Sequence, residues 1–113
     1  MKKTEMLKKN YEFKTVLSKG KFFIGKEIEI FLLKNNQKRN LLGIAVGTKN
    51  GKAFQRNKAK RLIREAYKNL EEKIINGYSI VVLLKKDIDI NDMKYIDILN
   101  EMENTFKKAN IIS

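Results

Sequence analysis

The stretch FQRNKAKRLIREAYKNL, residues 54–70, decides how this chain is read. Ala59, Leu62, Ile63, Ala66, Tyr67 and Leu70 recur at helical spacing and form one apolar stripe. On a wheel of about 100° per residue the opposite side holds Asn57, Arg61, Arg64 and Lys68, with Lys60 on its flank. Six basic side chains and a single acid, Glu65, share this helix. Like charges four residues apart, such as Lys60 and Arg64, cost an isolated helix roughly 0.2–0.5 kcal/mol per pair. Arg56, Lys58, Lys60 and Arg61 also crowd the N-terminal end, where the helix dipole favours acids. Both costs reverse when a phosphate backbone lies along this end, because free amides, dipole and cations then all favour the anion.

The whole chain points the same way. Its 113 residues carry 25 Lys plus Arg against 13 Asp plus Glu, a formal net charge of +12. The window from Lys49 to Lys68 holds eight basic residues against Glu65 alone, so seven of those twelve charges sit there. A polyanion is the expected partner. A basic helix lying on a membrane surface is the weaker alternative, since a stripe with two alanines suits packing on a sheet better than insertion into lipid. The chain has no Cys and no His, which excludes disulfides, thiolate chemistry, an imidazole base and the usual zinc sites. The N-terminal MKKTEMLKKNYEF lacks the apolar run of a signal peptide, and no segment reaches membrane-spanning length, so a cytoplasmic location is expected.

Working outward from the helix, INGY ends it and YSIVVLLKK is an apolar run of the length of a buried central strand. From Asn91 onward, Met93, Ile96, Leu99, Met102 and Phe106 return to helical spacing. Upstream, Asn50-Gly51 is a turn signal. LLGIAVG before it reads as a strand whose Gly43 and Ala45 leave room for a close neighbour. KEIEIFLLK alternates, with Ile28, Ile30 and Leu32 on one face and Phe31 and Leu33 on the other, and KNNQKRN between the two strands reads as a hairpin tip. NYEFKTVLSKG, with Asn10 as N-cap and Phe13, Val16 and Leu17 at helical spacing before Gly20, predicts a short first helix.

The expected class is α+β: one domain over residues 1–113, a mixed sheet of about four strands and three helices in the order α-β-β-β-α-β-α. Residues 41–86 read as strand, helix, strand, a crossover between parallel neighbours whose generic hand is right.

FQRNKAKRLIREAY resembles the signature of the protein component of bacterial ribonuclease P, the small basic subunit that partners a catalytic RNA. The family's Arg-Asn-Arg stands here as Arg56-Asn57-Lys58, followed by Lys60, Arg61 and Arg64. LKKNYEFKTVLSKG, LLGIAVGTKNGKA and GYSIVVLLKK extend the similarity over most of residues 7–86. Lys58 in place of Arg keeps the charge but loses a bidentate fork, and Leu17 replaces the second aromatic of the first helix.

The resemblance implies a fold like one domain of ribosomal protein S5, with a left-handed crossover around the signature helix in place of the generic right-handed one. It implies that the chain binds the ribonuclease P RNA through Lys49, Arg56, Asn57, Lys58, Lys60, Arg61, Arg64 and Lys68. A second surface, with Phe13, Lys14, Leu17 and Phe31, would take the 5′ leader of precursor tRNA by sequence-tolerant stacking and phosphate contacts. The protein would carry no catalytic residue and no metal of its own, magnesium being held mainly by the RNA and the substrate, and neither membrane nor small-molecule substrate is expected.

Two other readings compete. Asp87 and Asp89, with Asp92 and Asp97 beyond, would be the metal site of an autonomous nuclease, although Asp-Ile-Asp is more often a solvated strand exit or a helix start. A general RNA-binding module would share the charge and the fold but not the signature.

Overall fold

A computed structural model describes residues 3–112. The elements are β1 (Thr4–Met6), α1 (Asn10–Lys19), β2 (Lys21–Ile24), β3 (Ile28–Lys34), β4 (Asn40–Ala45), α2 (Ala53–Leu70), β5 (Tyr78–Leu84) and α3 (Tyr95–Lys108). The three helices and the mixed sheet stand as the sequence predicts. The sheet has five strands, one more than expected, in the order β1-β4-β5-β3-β2. The addition is β1, three residues parallel to β4, too short to show a hydrophobic period.

The hairpin expected around residues 34–40 does not form. β5 lies between β3 and β4, antiparallel to the first and parallel to the second. The apolar run YSIVVLL explains why: it is buried on both faces and stabilises the sheet most where it has a neighbour on each side. The β4–α2–β5 unit is the crossover between parallel neighbours that the sequence suggests.

The two faces of the sheet are covered unequally. Ile28, Ile30, Leu32, Leu42, Ile44, Ile80, Val82 and Leu84 form the inner face, against Ala59, Ile63, Ala66, Tyr67 and Leu70 of α2 and Ile98, Met102 and Phe106 of α3. Tyr67 is fully buried, meets Phe106 edge to face at 6.5 Å, and its hydroxyl shares a 2.7 Å hydrogen bond with Thr4 Oγ1. That bond ties β1 to α2, and burial pushes the phenol's ionisation up to about 12. Glu101 of α3 accepts from the Glu27 and Ile28 amides at 3.0 and 3.3 Å, fixing the helix at the start of β3.

The last helix differs from expectation in its apolar side. It begins at Tyr95 after a short turn at Ile90–Asp92, so Met93 is buried ahead of it. Ile98, Met102 and Phe106 face the core, whereas Ile96 is exposed. Ile96 and Ile98 lie about 200° apart on a helix, so only one of them can face the sheet. The first helix is capped by Lys9 and not Asn10, with Glu12 accepting from the Lys9 amide at 3.2 Å in half a capping box.

Candidate nucleic-acid interface

α2 is anchored by its apolar stripe, and its other side is left to solvent. Asn57, Lys58, Arg61 and Lys68 are exposed, and Arg56, Lys60 and Arg64 are half-exposed. Among the described residues only Lys68 of this set has an ion pair, with Glu65 at 3.6 Å, an exposed contact of little energetic weight. Arg56 Nη1 reaches the Gly51 carbonyl at 3.4 Å, and the first turn of α2 holds no acid. The N-terminus is closed from one side by Gln55, whose side-chain oxygen accepts from the Lys52 amide at 2.9 Å. The first amide bonded into the helix is that of Arg56, to the Lys52 carbonyl at 2.9 Å. The N–H groups of residues 53–55 thus stand at a helix end surrounded by cations, a setting suited to phosphate.

The loop before α2 is held by a residue that sequence reading treated only as part of a turn. Asn50 is buried, and its Nδ2 donates to the Lys85 and Ile88 carbonyls at 2.9 and 3.1 Å. Gly51 follows at φ +149°, a conformation that side-chain-bearing residues rarely adopt. Together they clamp the loop to the exit of β5, so that Lys49 is carried, exposed, beside the start of α2. Phe54 is a second residue missed: it is 71% exposed in the first turn of the basic helix.

The second surface is the outer face of the sheet, covered by α1 among the described elements. Strand register sets Gly43, Val81, Phe31 and Phe22 side by side across β4, β5, β3 and β2. Phe13 lies over Gly43 so closely that a Cβ there would stand 2.5 Å from Phe13 Cζ. Val16 is buried with Leu7, Leu41 and Val81, and Phe13 and Phe31 pack against that cluster. Lys14 is exposed and Leu17 is 37% exposed on the same helix. The four residues expected at the leader surface therefore share one face of the molecule, but Phe13 and Phe31 are also packing residues. Phe22 joins them: its ring stacks on Phe31 with centroids 4.8 Å apart and planes at 28°. Only the pairing of β2 with β3 brings these rings together, and no local pattern announces it.

The carboxylates do not make a metal centre. Asp87, Asp89, Asp92 and Asp97 line a groove of about 310 Å³ with Lys26 and Glu27. Among the described residues no group of three or more acidic side chains is placed to hold a metal ion. Asp89 accepts from the Asn91 amide at 2.9 Å, capping the turn at Ile90–Asp92. Burial, reinforced by Glu101 and Asp97, raises the pKa of Glu27 above the ordinary glutamate value. No helix among the described residues is long and apolar enough to cross a membrane.

A family model described as Ribonuclease P matches residues 1–110. The "Ribonuclease P protein component" of Clostridioides difficile is 39% identical over 110 residues, covering 96% of this chain and 95% of that one. That of Fusobacterium nucleatum is 38% identical over 108 residues, covering 94% and 97%. Among solved structures, the RNase P protein of Staphylococcus aureus superposes with a TM-score of 0.82 at 30% identity over 96% of this chain and 97% of that one. The RNase P protein of Thermotoga maritima gives 0.81 at 28% identity over 91% and 96%.

Proposed function

Because the chain belongs to the ribonuclease P protein family, we propose that it is the protein subunit of a ribonucleoprotein endoribonuclease that removes the 5′ leader of precursor tRNA. The observation that carries this reading is the face of α2, where cations from Arg56 to Lys68 meet a single acid. Those cations, Asn57 and Lys49 bind the RNA subunit, each neutralised phosphate releasing counterions. The outer face, with Phe13, Lys14, Leu17 and Phe31, takes the leader. Phe13 is held against Gly43 and Phe31 against Val81, so both rings are positioned before RNA arrives and lose little freedom on binding.

Hydrolysis rests with the RNA. Magnesium held by the RNA and the substrate supplies an activated water and charge neutralisation at the scissile phosphate. The protein adds leader affinity and screens phosphate repulsion, and it works in the cytoplasm, where tRNA precursors are processed. The test is cleavage of a 5′-extended precursor tRNA at modest magnesium by the cognate RNA alone, this protein alone, and both together. Cleavage that depends on both supports the reading. Cleavage by the protein alone would return attention to Asp87 and Asp89, and no effect of the protein on the RNA would leave a general RNA binder.

A further inference from the structure

We infer that the open stacking face on the outer side of the sheet belongs to Phe22, so that the leader runs past Phe31 to the sheet edge and stacks a nucleotide there. This deepens the reading above and rests on its assignment of the outer face to the leader.

Phe31 is partly buried and flanked on both sides. Its neighbour on the β5 side is the buried Val81, and on the β2 side the Phe22 ring lies against it at 4.8 Å. Phe22 has a neighbour on one side only, because β2 is the edge of the sheet. It is 48% exposed, and Ile24, two residues on and on the same face, is 65% exposed. An edge strand with bare apolar side chains invites pairing with other chains unless a ligand covers it. Stacking on Phe31 orients Phe22, so a base meeting it need not order the side chain first.

The occupant follows from chemistry and charge. A phenyl face accepts any base and reads none, which suits a leader whose sequence differs between precursors, and Glu29, paired with Ile24 on the same face, turns the phosphates away from that end of the edge. Exposed Lys14 and Lys19 on α1, above the same face, supply cations for the accompanying phosphates.

The test uses the holoenzyme reconstituted from the full chain and its RNA subunit, with precursor tRNA carrying either a leader of several nucleotides or none. Phe22→Leu keeps apolar volume against Phe31 but removes the aromatic face. It should weaken binding of the leader-bearing substrate by about fivefold to a hundredfold, and leave leaderless tRNA and RNA-subunit association unchanged. The chain has no Trp, so Phe22→Trp introduces a single reporter. Its emission should be quenched by leader-bearing substrate, and affinity should stay at the wild-type level or rise. Phe22→Leu binding both substrates like wild type would overturn the inference. So would a loss confined to Phe22→Ala, which would make Phe22 only a prop for Phe31. If the wild-type holoenzyme itself does not prefer leader-bearing substrate, the leader assignment fails and this inference with it.

Discussion

Replacing Gly43 by Ala tests whether packing of α1 and leader affinity are one property. A Cβ at this position would stand 2.5 and 2.7 Å from Phe13 Cζ and Cε1, and 3.0 Å from Leu7 Cδ1. Ordinary carbon contacts lie at about 3.5–4.0 Å, so the Phe13 ring must withdraw by roughly an ångström. Phe13 is only partly buried, so it can lift toward solvent at the cost of its packing against the cluster of Leu7, Val16, Leu41 and Val81. Overpacking of this kind costs about 1–3 kcal/mol. With a urea slope of about 1–3 kcal/mol/M, a loss of about 2 kcal/mol moves the unfolding midpoint down by roughly 1 M. The chain should remain folded, since domain stabilities run to about 5–15 kcal/mol.

The functional consequence is selective. Gly43→Ala displaces a ring of the proposed leader surface while the buried stripe of α2 packs on the opposite face of the sheet. Affinity for leader-bearing precursor should fall, and affinity for the RNA subunit should not. Phe13→Leu in the Gly43→Ala background removes the clash, so the double variant should recover stability relative to Gly43→Ala, a coupling that a double-mutant cycle measures. An unchanged urea midpoint for Gly43→Ala, or strictly additive single effects, would refute the close seating of Phe13 on Gly43.

Other expectations follow from the same geometry. Arg64→Ala should weaken association with the cognate RNA more than with unrelated RNA and lower the salt slope of log K by about 0.7–0.9; equal losses on all RNAs would mark a general binder. Asn50→Ala takes from the Ile88 carbonyl its Asn50 donor and leaves the Lys85 carbonyl only the Ile88 amide at 3.3 Å; it should cost about 1–3 kcal/mol in denaturation, with looser RNA-subunit binding as Lys49 loses its mounting. Glu27→Gln should raise stability at neutral pH. Burial and the charges of Glu101 and Asp97 raise its folded pKa, so wild type loses stability as pH climbs from about 4.5 through that value. The advantage of the variant in urea midpoint should therefore shrink as pH falls toward 4.5; a constant offset from pH 4 to 7 would contradict the assignment. Tyr67→Phe removes a phenol that resists ionisation up to about 12. It should lessen the loss of stability between pH 10 and 12, at a cost of about 1 kcal/mol at pH 7 for the Thr4 hydrogen bond.

Much of the molecule is legible along the chain because the relevant forces act within a few residues. The 3.6-residue stripe from Ala59 to Leu70 places α2 and its buried side, and the charges on the other side need no tertiary contact to be counted. The alternation of β3 correctly divides Ile28, Ile30 and Leu32 from Phe31 and Leu33. The narrow space at Gly43 is also foreseen in kind, though not that Phe13 fills it. Where helical spacing allowed two adjacent solutions, as at Ile96 and Ile98, only the burial against α2 and the sheet chose between them.

What the sequence by itself determined is the three helices, the strands long enough to show a period, the apolar side of α2 and the place where positive charge collects, since period and charge are local. Tertiary structure decided which strand edges meet. Inserting β5 between β3 and β4 depends on the gain from pairing a doubly buried strand on both sides, an energy that belongs to three segments at once. The same pairing sets Phe22 on Phe31, brings Asn50 to the carbonyls after β5, and leaves Asp89 capping a turn instead of joining a metal site. Those positions exist because distant segments converge there, and such convergence leaves no period in the chain.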